Sequence, residues 1–204
     1  MSGLYDICHQ HGGMTLHSYS IDPRRLGFIL ARYKACAKLL SGKQNVLEVG
    51  CADGFASRVV RQTVGKLTAV DVDAQSIEEA KRNASENWPI EFTVWDIMKG
   101  PALGFDAVFA LDVYEHIPPT DEQTFLENLR ACAPVAIVGT PSLESQVYAS
   151  ELSRKGHVNC KSGEDLRASL LRHWRHVFMF GMNDEILHVG FLPMCQYLLA
   201  VAVE

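Results

Sequence analysis

The stretch that decides the fold is Asn45-Val46-Leu47-Glu48-Val49-Gly50-Cys51-Ala52-Asp53-Gly54, a short apolar run that ends in a glycine-containing turn. The apolar residues predict a buried β-strand, and the glycines predict a sharp turn where that strand ends. Glycine has no Cβ and tolerates positive φ, so a ligand can lie directly against the backbone of such a turn. The pattern therefore predicts a ligand-binding turn at the carboxyl end of a strand.

A second apolar run, Leu67-Thr68-Ala69-Val70-Asp71-Val72-Asp73, follows the first and ends in acids. An acid at the end of the second strand of a βαβ unit can accept hydrogen bonds from both hydroxyls of a ribose. The two runs together predict a nucleoside site at the carboxyl edge of an α/β sheet. A dinucleotide fingerprint would need glycines at 50, 52 and 55, whereas the chain has Ala52 and Phe55. That difference, and the lack of a Tyr-x-x-x-Lys pair, disfavour an NAD-linked oxidoreductase.

Length and composition predict one domain spanning residues 1–204, because 204 residues of which 48% are hydrophobic can build a full core. The net charge of −5 and the pI of about 5.9 predict no nucleic-acid partner and no anionic membrane surface as partner. The longest apolar stretch, Tyr197–Val203, is too short to span a membrane. The first residues are not those of a signal peptide, and six scattered cysteines without a C-x-x-C motif favour reduced thiols. These features predict a cytoplasmic location; they leave the oligomeric state open.

Five apolar runs alternate with helical patterns, which is typical of βαβ units and a parallel sheet. The predicted strands are Val46–Val49, Leu67–Val72, Glu91–Trp95, Ala107–Leu111 and Val135–Gly139. The predicted helices are Pro23–Leu40 with Asp22 as its N-cap, Ala56–Val64, Gln75–Ala84, Glu122–Ala131 and Gly163–Trp174. Two further strands, Val177–Phe180 and Cys195–Val203, have no room for a crossover helix between them and should be antiparallel.

The glycine turn resembles the first motif of the class I S-adenosylmethionine (SAM) dependent methyltransferases, an acid-x-Gly-x-Gly-x-Gly pattern in which Ala52 here replaces the middle glycine. The order of strands and the closing hairpin extend the resemblance over residues 20–204. It implies an α/β fold with a doubly wound, seven-stranded, mostly parallel sheet and a C-terminal antiparallel hairpin. It also implies SAM as the cofactor.

The same resemblance implies the residues that contact SAM. Gly50 and Gly54 would line the turn beneath the methionine portion, Glu48 would organise that turn, and Asp71 would hold the ribose hydroxyls. The remaining implied contacts are the backbone of Cys51, Val72 on the adenine face, Asp96 and the following Ile97 near the adenine amino group, and the backbone carbonyl of Leu111 near the methyl sulfonium.

The segment after the fourth predicted strand carries three polar side chains, Asp112, Glu115 and His116. The spacing Asp112-x-x-Glu115-His116 resembles the Glu-x-x-Glu-His segment of the ubiquinone-pathway O-methyltransferases and the small-RNA 2′-O-methyltransferases. In those groups it binds a divalent ion together with a more distal histidine, for which His157 is the candidate here. A metal would help to ionise a hydroxyl acceptor, but His116 as a metal-free base and a purely structural role for the three residues remain open.

The acceptor is predicted from the loops 141–161 and 182–195, whose many polar side chains indicate a hydroxylated small molecule or a sugar or glycan intermediate. The predicted reaction is transfer of a methyl group from SAM to a hydroxyl of that acceptor. An N-methyltransferase remains an alternative although Asn/Asp-Pro-Pro-Tyr is absent, and so does a catalytically idle SAM-binding protein. Residues 1–21, which include His9 and His11, are too polar for a core element and are predicted to form an N-terminal lid or tail.

Overall fold

The computed structural model describes residues 13–204, and the chain divides after Asp96 into two compact units. The first unit contains helix α1 (Gly13–Ile21), helix α2 (Arg24–Leu39), strand β1 (Asn45–Val49), helix α3 (Ser57–Arg61), strand β2 (Lys66–Asp71), helix α4 (Ala74–Arg82) and strand β3 (Glu91–Val94). Strands and helices alternate in it, as the sequence predicted.

The second unit contains strand β4 (Ala107–Leu111), helix α5 (Glu122–Cys132), strand β5 (Val135–Pro141), helix α6 (Glu151–Gly156), helix α7 (Gly163–Leu170), strand β6 (His176–Met182) and strand β7 (Tyr197–Val203). Short 3₁₀ turns lie between these elements at Ile97–Lys99, Tyr114–His116, Glu144–Tyr148 and Leu192–Met194. The turn Tyr114–His116 contains two of the predicted chemical residues.

The strands form a seven-stranded sheet in the order β3-β2-β1-β4-β5-β7-β6. In the first unit β2 pairs in parallel with both β1 and β3, and in the second unit β4 pairs in parallel with β5. Strand β7 lies between β5 and β6 and runs antiparallel to both, with Met182 opposite Tyr197 at the closed end of the hairpin. The predicted fold class, a mostly parallel sheet with a C-terminal antiparallel hairpin, is confirmed.

In the first unit, apolar side chains from β2, β3 and α4 form a small core against the predicted ligand turn. Ala69, Ile77, Ala80 and Phe92 pack together with Cys51 of that turn. Helix α4 starts one residue after Asp73, whose carboxylate accepts hydrogen bonds from the backbone N–H groups of residues 75 and 76. This is the usual role of an N-cap aspartate, and it fixes the helix where β2 ends.

In the second unit, every residue of β4 is buried, as a strand inside a parallel sheet should be. Helix α5 turns Phe125, Leu126, Leu129 and Cys132 inward, at the spacing of one helix face. The same helix holds the chain before β4, because the side-chain amide of Asn128 donates to the backbone oxygen of Ile97 over 2.7 Å.

Several predicted boundaries differ from the structure. The helix predicted at Ala56–Val64 ends at Arg61, and the one predicted at Gly163–Trp174 ends at Leu170. Helix α2 begins at Arg24, one residue later than predicted, although the Asp22 carboxylate still accepts from the Arg24 backbone N–H. The boundaries shift by one to four residues, because capping and packing decide where the last turn of a helix frays.

Two helices were not predicted, α1 within the polar segment 1–21 and α6 within the loop 141–161. The predicted histidines His9 and His11 lie outside the described residues. Across residues 13–204, no helix combines the length and the apolar character needed to cross a membrane.

Candidate functional site

The glycine turn of the first unit has an unusual backbone, with φ values of 81° at Gly50, 48° at Ala52 and 68° at Gly54. The backbone N–H groups of Gly50 and Cys51 both donate to the Val70 carbonyl, at 2.8 and 3.1 Å, and tie the turn to β2. Ala52 occupies the left-handed region despite its Cβ, which costs about 1 kcal/mol or more. The turn therefore has positive φ at Ala52 as well as at the glycines on either side of it.

Gly54 is required by packing as well as by its φ. A Cβ at this position would lie 2.6 Å from the ring of Phe92 and 3.1 Å from the Ala80 methyl group. Cys51 is buried, which raises the pKa of its thiol and makes it a small apolar side chain. The backbone of the turn, with its small side chains, is thus what could face a ligand.

Asp71, at the end of β2, holds the turn from the other side. Its Oδ2 accepts from the Ala52 N–H over 2.8 Å, and its Oδ1 accepts from the Asp73 N–H over 2.9 Å. A carboxylate oxygen can accept a second hydrogen bond. The Asp71 carboxylate is therefore oriented by the backbone and can still accept from two hydroxyl groups of a ribose.

Glu48 is buried on β1 with 1% of its surface exposed. The Tyr33 hydroxyl on α2 donates to Glu48 Oε1 over 2.7 Å, and Glu48 Oε2 has no hydrogen-bond partner among the described residues. Burial raises the pKa of Glu48 to about 7, because a low dielectric disfavours the charged form. The unpartnered oxygen beside the turn fits a site that receives a polar group from a bound cofactor.

The other predicted cofactor residues occupy the ends of their strands. Val72 is mostly exposed after β2, and Asp96 is partly buried after β3. Ile97 and Leu111 belong to the second unit, where both side chains are buried, and Leu111 is the last residue of β4. The contacts of these residues with SAM stay predictions.

Chemical side chains of the second unit meet after β4. A carboxylate oxygen of Glu115 and one ring nitrogen each of His116 and His157 lie within 4.8 Å of one another. The two imidazole rings meet edge to face, with centroids 5.2 Å apart. Asp112 is not a member of this group, and it has a positive φ of 58°. The structure thus brings together three of the four predicted metal ligands.

Each histidine of the cluster is held through its Nδ1 atom. His116 Nδ1 lies 2.9 Å from the carbonyl oxygen of Gly156, and His157 Nδ1 lies 2.9 Å from Gln146 Oε1. Because these oxygens can only accept, each Nδ1 donates a proton to its oxygen, which leaves Nε2 as the ring nitrogen that is available to act as a base or a metal ligand. Carbonyl groups that fix a histidine in this way are typical partners of metal-ligating histidines.

The surroundings of His157 favour its neutral imidazole. Burial lowers the pKa of His157 and the neighbouring His116 lowers it further, while Asp112 opposes both. Glu115 is 1% exposed and its Oε2 accepts from the Thr140 hydroxyl over 3.1 Å. Two imidazoles and a carboxylate form a donor set that suits Mn²⁺, Fe²⁺ or Zn²⁺ better than Mg²⁺, which prefers oxygen alone.

Polar residues of the predicted acceptor loops are partly used within the protein. Lys161 Nζ lies 2.8 Å from Glu122 Oε2, and the Asn159 amide donates to the same oxygen. Burial would raise the pKa of Glu122, but hydrogen bonds from Lys161, Ser169 and Asn159 outweigh it and lower the pKa to about 2. Glu122 and Lys161 also line an open cleft of about 580 Å³ that contains no predicted site residue.

Sequence reasoning missed the residues that orient the site, namely Thr15, Tyr33, Asp53, Gln146 and Gly156. Their contacts join positions that are far apart in the chain, and no spacing in the sequence marks them. Tyr33 lies on the predicted helix Pro23–Leu40, but nothing in the pattern identified Glu48 as its partner.

The comparisons with known proteins agree with the fold described above. Residues 46–134 match the model of a methyltransferase domain family. An uncharacterized methyltransferase of Mycobacterium tuberculosis (strain ATCC 25618 / H37Rv) is 38% identical over 115 residues, 52% of this chain and 57% of that protein. The ubiquinone biosynthesis O-methyltransferase of Citrobacter koseri is 30% identical over 142 residues, 68% of this chain and 52% of that protein. The chain spans about half the length of the curated relatives it matches.

Solved structures share the fold at low identity. The methyltransferase domain of bacterial CtHen1-C has a TM-score of 0.69 at 16% identity, over 85% of this chain and 97% of that one. Magnesium protoporphyrin IX methyltransferase from Synechocystis PCC 6803 was solved with bound S-adenosylhomocysteine (SAH). It has a TM-score of 0.65 at 18% identity, over 88% of this chain and 84% of that one. The N-methyltransferase NodS from Bradyrhizobium japonicum WM9 has a TM-score of 0.58 at 22% identity, over 89% of this chain and 96% of that one.

Proposed function

From its membership of the class I SAM-dependent methyltransferases, we propose that this chain transfers a methyl group from SAM to a hydroxyl of a small molecule or of a sugar or glycan intermediate. The cofactor would bind at the turn Gly50–Gly54, with Asp71 on the ribose. Support for SAM comes from the positive φ values of the turn, the oriented Asp71 carboxylate and the unpartnered Glu48 oxygen.

The observation that carries hydroxyl methylation is the cluster of Glu115, His116 and His157. The transfer breaks the bond between the methyl carbon and the cofactor sulfur and forms a bond from that carbon to the acceptor oxygen, whose proton must leave. The Nε2 lone pairs of His116 and His157 can take that proton, because their Nδ1 atoms are already committed.

We assign a divalent ion to the same cluster, with Glu115, His116 and His157 as protein ligands and Asp112 nearby as a further candidate. When bound, such an ion acts as a Lewis acid and lowers the pKa of the acceptor hydroxyl. The protein supplies the orientation, since Gly156 and Gln146 fix the rings and Thr140 fixes the carboxylate. Without the ion, the same residues would form a general base.

Features of the acceptor follow from the loops of the second unit. Among the side chains of residues 143–194, six are apolar or aromatic and at least 70% exposed: Val147, Tyr148, Leu152, Val189, Phe191 and Met194. A hydroxylated acceptor with an apolar portion fits them better than a purely polar sugar. The relative from Citrobacter koseri, a ubiquinone biosynthesis O-methyltransferase, supports oxygen as the acceptor atom. The net charge of −5 supports a small acceptor over a nucleic acid.

The test measures SAM binding and methyl transfer separately. The purified chain is titrated with SAM by calorimetry and then incubated with radiolabelled SAM and panels of phenols, sugars and amines. We expect SAM binding and labelling of a hydroxylated acceptor. We also expect EDTA to abolish labelling while leaving SAM affinity intact, and added Mn²⁺ or Zn²⁺ to restore it. Labelling of amines alone would make the chain an N-methyltransferase, and binding without transfer to any acceptor would favour a catalytically idle SAM-binding protein.

A further inference from the structure

The carboxylate of Asp53 is buried inside the predicted cofactor turn, with 4% of the residue exposed. It lies between Ala52 and Gly54, both of which have positive φ. Its Oδ1 accepts from the backbone N–H of Phe55 over 3.2 Å, which closes the turn locally. The position and burial of this side chain make its hydrogen bonds part of the structure of the turn.

The other two hydrogen bonds of Asp53 come from a residue 38 positions earlier in the chain. Thr15 donates its backbone N–H to Asp53 Oδ2 over 2.8 Å and its hydroxyl to Asp53 Oδ1 over 2.9 Å. Thr15 lies in the first turn of α1, where backbone N–H groups have no partner within the helix. Asp53 therefore acts as the N-cap of a helix to which it is not adjacent in sequence, and its negative charge faces the positive end of that helix.

These contacts connect α1 with the turn. Asp71 and Val70 hold the turn from strand β2, whereas Thr15 holds it from the N-terminal helix. If Thr15 releases Asp53, a buried carboxylate loses both hydrogen bonds from Thr15 and keeps the one from the Phe55 N–H. Leaving a buried acceptor short of partners is costly, so the turn and α1 should change together.

We propose that Thr15 is a positioning residue of the cofactor site, which holds the turn Gly50–Gly54 in its binding geometry through Asp53 and couples the docking of α1 to cofactor binding. The inference rests on the proposed SAM site at this turn. Coupling is reciprocal: a docked α1 strengthens SAM binding, and bound SAM strengthens the docking of α1 by the same factor.

The experiment compares the full chain with Thr15→Val, which keeps shape and backbone N–H but loses the hydroxyl donor, and with Thr15→Ser, which keeps the donor. SAM affinity is measured by calorimetry, and amide hydrogen exchange of residues 13–21 is followed with and without SAH. We expect Thr15→Val to weaken SAM binding at least about fivefold and Thr15→Ser to stay within about twofold of the unchanged chain. We also expect SAH to slow exchange in α1 of the unchanged chain more than in Thr15→Val.

The outcomes separate this inference from the proposed function. If the unchanged chain binds no SAM, the proposed cofactor site fails. If it binds SAM and Thr15→Val binds equally well, with α1 exchange indifferent to SAH, the coupling is wrong while the cofactor site stands. Thermal unfolding of each variant provides a control, because a variant that unfolds near the unchanged chain's temperature reports on the turn and not on global stability.

Discussion

The turn Gly50–Gly54 and the cluster of Glu115, His116 and His157 are built in opposite ways. The turn is held mainly by backbone hydrogen bonds to strand β2. The Asp71 carboxylate adds to them by accepting from the N–H groups of residues 52 and 73. In the cluster, three side chains from two segments of the chain are oriented by carbonyl and hydroxyl groups through the Nδ1 atoms of the histidines and the Glu115 carboxylate. A backbone-built turn suits a constant cofactor, whereas a side-chain cluster can change with the acceptor.

The largest effect that separates the two regions should come from His116→Ala. Loss of a general base or metal ligand should lower kcat by roughly 10²–10⁴-fold, because the cluster then keeps a single imidazole, His157, and loses the edge-to-face contact between the two rings. SAM affinity should stay within about twofold, since the variant leaves the turn untouched. Steady-state kinetics and calorimetry provide the two measurements.

The matched control is His173→Ala, a partly buried histidine of the same unit that lies outside the cluster. Its kcat should stay near that of the unchanged chain. A parallel loss of SAM affinity in His116→Ala would contradict the assignment of cofactor binding to the turn and of chemistry to the cluster.

The second effect concerns the pH dependence of stability in the cofactor region. The pKa of Glu48 is raised from 4.5 to about 7 by burial, so the folded state binds its proton more tightly than the unfolded state does. The resulting stabilisation is complete below pH 4.5 and is lost as pH rises through about 7. Between pH 5 and pH 8 the unfolding free energy should therefore fall by about 2–3 kcal/mol more in the unchanged chain than in Glu48→Gln.

Urea unfolding of both proteins at several pH values isolates the contribution of Glu48, because all other titrating groups are shared. A difference between the two curves that does not vary with pH would mean that Glu48 is ionised throughout, and that its burial is compensated by charge partners.

A third effect tests the anchoring of the turn. Asp71→Ala removes the acceptor for the Ala52 N–H and the predicted ribose contacts, so SAM affinity should fall at least about tenfold. Asp71→Asn retains one acceptor oxygen, so its SAM affinity should lie between that of Asp71→Ala and that of the unchanged chain. Methyl transfer at saturating SAM should recover in both variants, because the cluster is unchanged. Unaltered SAM affinity in Asp71→Ala would remove this residue from the cofactor site.

The smallest expected effect sharpens the account of the turn itself. Ala52→Gly relieves a left-handed residue and should raise the unfolding free energy by up to about 1 kcal/mol. Ala168→Gly is the control, since Ala168 is an exposed residue inside α7 and glycine there should destabilise by about 0.5–1 kcal/mol. Equal destabilisation by both changes would contradict the strain assigned to Ala52. Thermal or urea unfolding measures both.

Much of the fold could be predicted because most strands and helices have a recognisable pattern of apolar and polar residues in the local sequence. Strand Ala107–Leu111 has its predicted bounds, and β1 and β5 begin within one residue of theirs. The antiparallel hairpin followed from the short connection before the last strand. Helix α1 was missed because its apolar and polar residues are not separated onto two faces, and because its N-terminus is capped by Asp53 from another segment.

Of the candidate site, the sequence by itself determined the residues that terminate strands: the glycine turn, Asp71 after β2 and the Glu115-His116 pair after β4. They follow from the alternation of strand, turn and helix, which the pattern of neighbouring residues indicates. Only the tertiary structure decided that His157 joins Glu115 and His116 without Asp112, that Ala52 takes a left-handed conformation, and that Tyr33 and Thr15 hold Glu48 and Asp53. Such contacts form only when segments that are distant in sequence pack together. Geometry and burial then determine which groups become hydrogen-bond partners, and the spacing of residues in the sequence does not indicate them.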